Sequence, residues 1–333
     1  AFRRRSVSEG KEGMRLNMKF KLIVRWYRML IGKSSFHVKQ GAGKHYSKIK
    51  VLGYYNDLTN KVLSNQTLLD EKNIPYNILT SGEIVYFPGT IFQYALGLYD
   101  LFIETNDKEY LDQFINLANW AADNLTDNGY WKCMSVLHNS IHKTQSAMCQ
   151  SEGISVLIRA YIQTKNKIYI EKSKKALELM IKPTDNGGTC YFNKQDIIFQ
   201  EYVSDYNQSV LNGWIFSLFG LYDYYLITKD VKVEEILTQS INTLSKYLHK
   251  YDRGFWSNYD LVGTIASPAY HDLHIMQLRV LYDLFDINEF KLVADKWEKY
   301  QKSSFKKYYA MFIKFIQKMK KNKYYDINTN LVK

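Results

Sequence analysis

Aromatic residues crowd three stretches of this 333-residue chain: Tyr130 and Trp131; Tyr191, Phe192, Tyr202 and Tyr206; Phe255, Trp256, Tyr259 and Tyr270. Tyr and Trp gathered over a cleft suit sugars, because each ring offers a flat apolar face to ring C–H groups and a polar tip to hydroxyls. His271 and His274 stand three apart, a spacing at which two imidazoles on one helix can ligate zinc. No third ligand of suitable spacing accompanies them, so no metal site is expected. His271 reads instead as a helix-start residue that orients a phenol, and His274 as a core or cavity-lining residue. The GAGK stretch at 41–44 lacks the full phosphate-loop pattern and a preceding apolar strand, which argues against nucleotide binding. With neither a dinucleotide motif nor a metal cluster, no cofactor is implied.

The elements that must position these residues emerge from a repeat of about 60 residues. Tyr99, Tyr161, Tyr222 and Tyr282 hold the same place in four apolar segments, where residues such as Ile215, Leu218, Phe219 and Tyr222 recur at helical spacing. A polar break follows each, and then a second segment apolar on one face only: FINLANWAADNL, KSKKALELMIK, ILTQSINTLSKYLHK and FKLVADKWEKY. The first helix of each pair is therefore expected inside and the second outside. The first three pairs end at Asp-x-Gly signals, at 127–129, 185–187 and 252–254. The fold expected is all-α, an incomplete (α/α) toroid or barrel of about four helical hairpins with short β-hairpins in its loops. Residues 1–17 read as a disordered lead or an added segment, 18–85 as a basic N-terminal extension packed on or near the toroid, 86–301 as the toroid, and 302–333 as a basic amphipathic helix and tail. Topology gathers the outer-to-inner connections, 128–150, 186–210 and 253–271, on one rim, and these carry the aromatics.

Composition sets the outer bounds. A hydrophobic fraction of 46% with 28 Tyr and 4 Pro excludes a disordered chain. No apolar run reaches the roughly 18 residues that span a bilayer. The net charge of +12 is concentrated in residues 1–50, with 14 basic and 2 acidic residues, and in 302–333, with 9 Lys and 1 Asp. Both basic ends interleave Lys or Arg with aromatics at helical spacing, at 20–33 and 305–323, as an interfacial membrane helix or a helix packed on the toroid would. Peripheral membrane contact through these ends is one expectation, and no nucleic-acid role is assigned. Three cysteines without a C-x-x-C pair fit a reducing compartment, so a cytoplasmic location is expected, peripheral at the inner membrane face if the basic ends engage lipid.

The stretch QEYVSDYNQSVLNGWIFSLFGLYDY at 200–224, with SAMCQSEGISVLIRAY at 146–161, GFWSNYDL at 254–261 and AYHDLHIMQL at 269–278, resembles the catalytic helical domain of D-glucuronyl C5-epimerases. That resemblance, running from about Tyr86 to about Tyr300, implies conversion of D-glucuronate to L-iduronate residues within a heparosan-like polysaccharide, such as a capsular or heparan-type chain. It implies Glu201, Tyr202, Tyr259 and Tyr270 as catalytic, and a homodimer of this domain. This chain departs from the family in four places. The inserted β-domain of animal members is absent, Val262 stands where the family has Arg, Val203 and Ser204 stand where it has Pro-Thr, and Pro268 and Ala269 stand where it has Trp-Asp.

Epimerisation at C5 removes a proton α to a carboxylate and returns one from the opposite face, so two proton carriers are expected on either side of the sugar. Tyr202 or Tyr259 would face Tyr270, with Glu201 accepting the proton or polarising a phenol. Substrate contacts are expected from Tyr86, Gln93, Tyr94, Trp131, Gln150, Tyr206, Asn212, Trp256 and His271. A polysaccharide lyase or unsaturated-uronyl hydrolase on a similar toroid is the alternative chemistry, since lyases begin with the same proton abstraction. A glycan-binding protein without chemistry is the other alternative.

Overall fold

The computed structural model describes residues 40–64, 66–79, 81–133, 144–203 and 208–320, which fall within one compact unit beginning at Gln40. Tyr206, the basic stretch 20–33 and the tail beyond 320 lie outside the described residues. The unit is built on four helical hairpins. Their inner helices are α2 (Pro88–Thr105), α4 (Ala147–Thr164), α6 (Leu211–Thr228) and α8 (Pro268–Phe285), paired with outer helices α3 (Lys108–Asp123), α5 (Lys167–Met180), α7 (Val231–Tyr247) and α9 (Asn288–Lys302). A short helix α1 (Thr59–Leu63) packs on α2, and α10 (Ser304–Lys320) follows α9. The inner helices pack in order, α2 on α4, α4 on α6 and α6 on α8, as the repeat predicts for an incomplete α/α toroid.

The two kinds of turn between helices are unequal, and that inequality makes the site. Inner and outer helices of a hairpin are joined by two residues, the first left-handed: Asn106, Lys165, Lys229 and Asp286 all have φ between 54° and 58°. In three of them a threonine ends the inner helix, and its hydroxyl bonds both the carbonyl four residues back and the N–H two residues on, as Thr105 does with Leu101 and Asp107. That double bond supports the left-handed turn and lets the side chain of Asp107, Asn166 or Asp230 cap the outer helix. The return connections are long and leave the outer helices through Gly129, Gly187 and Gly254, each with φ near +80°, a conformation that side-chain-bearing residues resist.

Sequential burial matches the expected layers. Every residue of α6 from Leu211 through Tyr224 is buried, whereas α7 buries only one face, including Val233, Leu237, Ile241 and Leu244. The short-turn end of the toroid is closed by residues 43–58. The Arg159 guanidinium on α4 binds the carbonyls of Leu52 and Gly53 at 2.9 Å and meets Asp223 of α6 at 2.6 Å. Tyr55 donates to the other Asp223 oxygen at 2.9 Å, and Asp100 of α2 accepts the Tyr54 N–H at 2.8 Å. Tyr46 reaches Asp283 of α8 at 3.0 Å, so all four inner helices contribute to this closure. The GAGK stretch belongs to it: strand β1 (Gly41–Ala42) pairs antiparallel with β2 (Asn56–Asp57), and a side chain at Gly43 would run into the Tyr54 carbonyl. Strands β3 (Leu68–Leu69), β4 (Pro75–Ile78) and β5 (Ile84–Val85) form a small antiparallel sheet before α2. In the connection after α5, β6 (Cys190–Asn193) and β7 (Asp196–Phe199) form a hairpin that leads into Glu201.

Candidate active site

At the opposite end, the N-termini of the inner helices meet the long connections. Glu201 follows β7 and packs against the first turn of α6, where Gly213 leaves room for its side chain; a Cβ there would strike the Glu201 carboxylate and its Cβ. The 257–265 loop is tied to the same turn, because the Tyr259 carbonyl accepts the Leu211 N–H at 3.0 Å and Leu261 N–H reaches the Gln208 carbonyl at 3.0 Å. Asp260, buried, fixes the loop by accepting from Thr264 N at 2.8 Å and Gln208 Nε2 at 3.2 Å. Tyr270 sits in the first turn of α8, behind the Ser267 cap.

These ties bring the four residues together. The Tyr202 and Tyr259 hydroxyls lie 3.4 Å apart, and the Tyr259 and Tyr270 rings are 4.9 Å apart between centroids. The Glu201 side chain hydrogen-bonds the Tyr202 phenol, while its Oε2 is buried without a partner among the described residues. All three tyrosines are half-buried, so part of each side chain stays exposed. Burial pushes Glu201 up to about 7 against the pull of the Tyr202 hydrogen bond. Burial, reinforced by the charge of Glu201, raises Tyr202 and Tyr259 well above the ordinary phenol value. At neutral pH the phenols are therefore proton donors, and Glu201 is the group poised to take up or release a proton.

The expectation that Tyr259 faces Tyr270 across a sugar does not survive this geometry. Their rings are in contact and leave no gap for a pyranose. Tyr202 and Tyr270 each contact Tyr259, and of the two expected pairings only that of Tyr202 with Tyr270 is left.

A second carboxylate, not singled out from the sequence, lines the interior behind this group. Glu152 on α4 is fully buried, accepts from Gln93 Nε2 at 2.7 Å, and keeps Oε2 without a partner among the described residues. Burial raises it to about 8, partly offset by the Gln93 hydrogen bond and the charge of Lys61 on α1, while the charge of Glu201 pushes further upward. Asn212 Oδ1 and Gln277 Oε1 are likewise buried without partners, and Gln277 Nε2 contacts the Asn212 carbonyl at 3.5 Å. The interior thus presents unsatisfied acceptor oxygens from α4, α6 and α8. The signal in the sequence was Glu152 itself, the one charged residue in the run 147–158.

The other expected contacts divide by placement. Gln93 and Asn212 lie with the carboxylates. Trp131 is buried, with its indole N–H on the Ala121 carbonyl at 2.8 Å, and Gln150 ties that connection through Trp131 N, Gly129 O and Ala176 O. Trp256 is buried and stacks on His271 at 3.8 Å. The ring of His271 binds Ser257 on one side and the Trp297 carbonyl at 3.0 Å on the other, so it positions the Tyr259 loop, not a phenol directly. The carbonyl can only accept, which puts the proton on Nε2 and leaves Nδ1 to accept from Ser257. Burial holds His271 near 3, uncharged. His274, also buried, shares Ser257 Oγ at 3.1 Å. Tyr94 is buried toward α3, where it bonds Gln113, and the exposed Tyr86 donates to Asp70 at 2.8 Å, so neither joins the tyrosine group. Val262 is 52% exposed on the turn after Asp260.

Residues 138–299 match the family described as D-glucuronyl C5-epimerase C-terminus, a span that holds Glu152, Glu201, Tyr202, Tyr259 and Tyr270. The D-glucuronyl C5-epimerase of Caenorhabditis elegans is 28% identical over 217 residues, covering 57% of this chain and 35% of that protein. An uncharacterized protein of Methanocaldococcus jannaschii is 28% identical over 151 residues, 44% of this chain and 49% of its own. The chain thus spans between a third and a half of the length of these curated relatives. A solved unsaturated glucuronyl hydrolase specific for heparin is 13% identical with a TM-score of 0.45, covering 74% of this chain and 82% of that one. Through residues 138–299, this chain is similar to the D-glucuronyl C5-epimerase C-terminus family.

Proposed function

We propose that this protein is a uronyl C5-epimerase, an isomerase that converts D-glucuronate to L-iduronate residues within a heparosan-like polysaccharide. The observation that carries the reading is the contact group of Glu201, Tyr202, Tyr259 and Tyr270 at the open rim, with a carboxyl near neutral pKa next to high-pKa phenols. Removing the C5 proton of a uronate pushes charge onto a carboxylate that is already an anion. Such a step needs donors fixed in a water-poor site, since preorganised dipoles stabilise developing charge without having to reorient.

In this reading Glu201, ionised, takes the C5 proton directly or through the Tyr202 hydroxyl, and Tyr270 delivers a proton to the opposite face. Tyr259 hydrogen-bonds Tyr202 and keeps its oxygen in place. In the reverse direction Tyr270 must receive the proton, so its phenolate is held by the neighbouring Tyr259 during turnover. Glu152 can donate to the glucuronate carboxylate only while it is protonated, which its raised value favours, whereas Asn212 Oδ1 and Gln277 Oε1 can only accept, from sugar hydroxyls. No cofactor takes part in these steps.

Incubation with heparosan oligosaccharides in deuterated water, read by proton NMR and mass spectrometry, tests the proposal. Deuterium at C5 together with new iduronate signals is the expected result. Chain cleavage to an unsaturated product would make the protein a lyase, and absence of exchange across a panel of uronate polysaccharides would remove the enzymatic reading.

A further inference from the structure

The helix α10 turns the usual amphipathic arrangement outward. Ala310 and Met311 are buried, and Gln317 binds the backbone of Gly263 and Ile265 at 2.8 and 2.9 Å. That side of α10 therefore holds the loop carrying Tyr259. On the other side Phe305 is 79% exposed, Tyr308 64% and Phe312 58%, with Tyr309 exposed beside Phe255. These positions, i, i+3, i+4 and i+7, form one continuous aromatic stripe. Single exposed apolar residues are ordinary, but a contiguous aromatic stripe marks an interaction surface.

Charge decides what that surface meets. From residue 299 to 325 the sequence has no Asp or Glu, while Lys302, Lys306, Lys307 and Lys314 lie along or beside α10 and further lysines follow at 318, 320, 321 and 323. A protein partner covering the stripe would have to be acidic as well as apolar. A lipid bilayer with anionic headgroups supplies both at once: Phe and Tyr side chains settle at the headgroup level, and lysines flanking them meet the negative surface. No helix among the described residues is long and apolar enough to cross a membrane, which leaves lying on the surface as the mode available to α10.

We propose that α10 is a membrane-docking helix that seats its Phe305, Tyr308 and Phe312 face in the interface of an anionic bilayer, holding the catalytic rim next to the lipid surface. The inference is independent of the reaction assigned above. The test is co-sedimentation of the full chain with phosphatidylcholine vesicles, with and without one quarter phosphatidylglycerol, at low salt and at high salt. Binding is expected to the anionic vesicles only and to weaken with salt. The triple variant Phe305→Ser, Tyr308→Ser, Phe312→Ser should bind at least tenfold more weakly with an unchanged circular dichroism spectrum and unfolding midpoint. In a second variant, Tyr308→Trp, tryptophan emission at position 308 should be quenched by brominated lipid beyond the parent's own response.

Failure of the parent to bind anionic vesicles would overturn the proposal. So would undiminished binding of the triple variant, which would transfer the interaction to the other basic end. A concentration-dependent dimer in analytical ultracentrifugation that the same triple variant abolishes, without vesicle binding, would assign the stripe to a second copy of the chain.

Discussion

The two ends of the toroid use similar residues to opposite effect. At the closed end, the buried charges Arg159 and Asp223 pair at 2.6 Å, and the remaining guanidinium N–H groups and carboxylate oxygens are taken up by backbone carbonyls and Tyr55. The Tyr54 hydroxyl, His45 Nε2 and Asn56 Oδ1 are the exceptions there, without a partner among the described residues. At the open end, Glu152 and Glu201 are equally buried, yet each keeps an oxygen without a partner, as do Asn212 and Gln277. Buried polar groups are ordinarily satisfied, because each unmet one costs free energy of folding. What sets the open end apart is that its unmet atoms include two buried carboxyl oxygens, a cost in stability that the proposed substrate-binding role would account for.

The largest effects should separate the two ends completely. Tyr270→Phe removes one hydroxyl from the half-buried rim and is expected to slow C5 exchange about 10²-fold to 10⁴-fold, the usual worth of a general acid or base, with the unfolding midpoint unchanged. Arg159→Met leaves Asp223 buried without its counter-charge, a change that typically costs about 3–5 kcal/mol of stability. Urea denaturation would read that loss, while exchange per folded molecule should stay near the parent level. Equal loss of exchange in folded Arg159→Met would mean that the closed end takes part in the chemistry and that the contrast is false.

Titration sharpens the comparison further. Glu152 has an ordinary value of 4.5 and is held near 8 in the fold, by burial above all. Between those two values the unfolded chain has already released the proton that the folded chain retains, so stability falls as pH rises through this window and the loss is complete above it. Glutamine can still accept the Gln93 hydrogen bond but cannot ionise. Glu152→Gln should therefore resemble the parent near pH 5 and exceed it at pH 8 by on the order of 4 kcal/mol, at about 1.4 kcal/mol for each unit of raised pKa. Parallel stability curves from pH 5 to 8 would show that Glu152 is as well accommodated as the charges at the closed end.

Much of this layout was legible in the sequence because it depends on periodicity. The repeated tyrosines 99, 161, 222 and 282 fixed the inner helices, and the Asp-x-Gly signals fixed where the long connections begin, at glycines that do adopt positive φ. Which aromatics face the cleft was not legible. Trp256 sits in the same connection as Tyr259, and Trp131 in the connection before the one that carries Tyr202, yet both indoles are buried, since an indole in a long connection can anchor the loop as readily as it can hold a sugar. Tyr94 faces α3 because an inner helix has two buried sides, and composition does not tell them apart. The closed end escaped notice for a different reason. Arg159 pairs with Asp223 across 64 residues and with carbonyls more than 100 residues away, and no local pattern encodes such a meeting. Glu152 was within reach, as a charge in the middle of an inner helix must be paired or used.

Gly213 is the finest point on which the two ends can be compared, because it sits where α6 begins and touches only the rim. A methyl group there would run into the Glu201 carboxylate and its Cβ. The backbone of a helix accepts alanine readily, so the helix itself gains and the strain falls on Glu201. Because the clash reaches the Glu201 Cβ as well as its carboxylate, the side chain is expected to be pushed out of its buried position toward solvent. Its value, now raised to about 7 by burial, should then fall toward the ordinary 4.5. Gly213→Ala is expected to slow exchange roughly 10-fold to 10²-fold, the scale of a small misplacement of a reacting group, and to shift the rising limb of the pH–rate profile below pH 7. A slower variant whose limb stays near pH 7 would mean that some other group sets that limb, and Glu201 would then be a positioning residue for Tyr202.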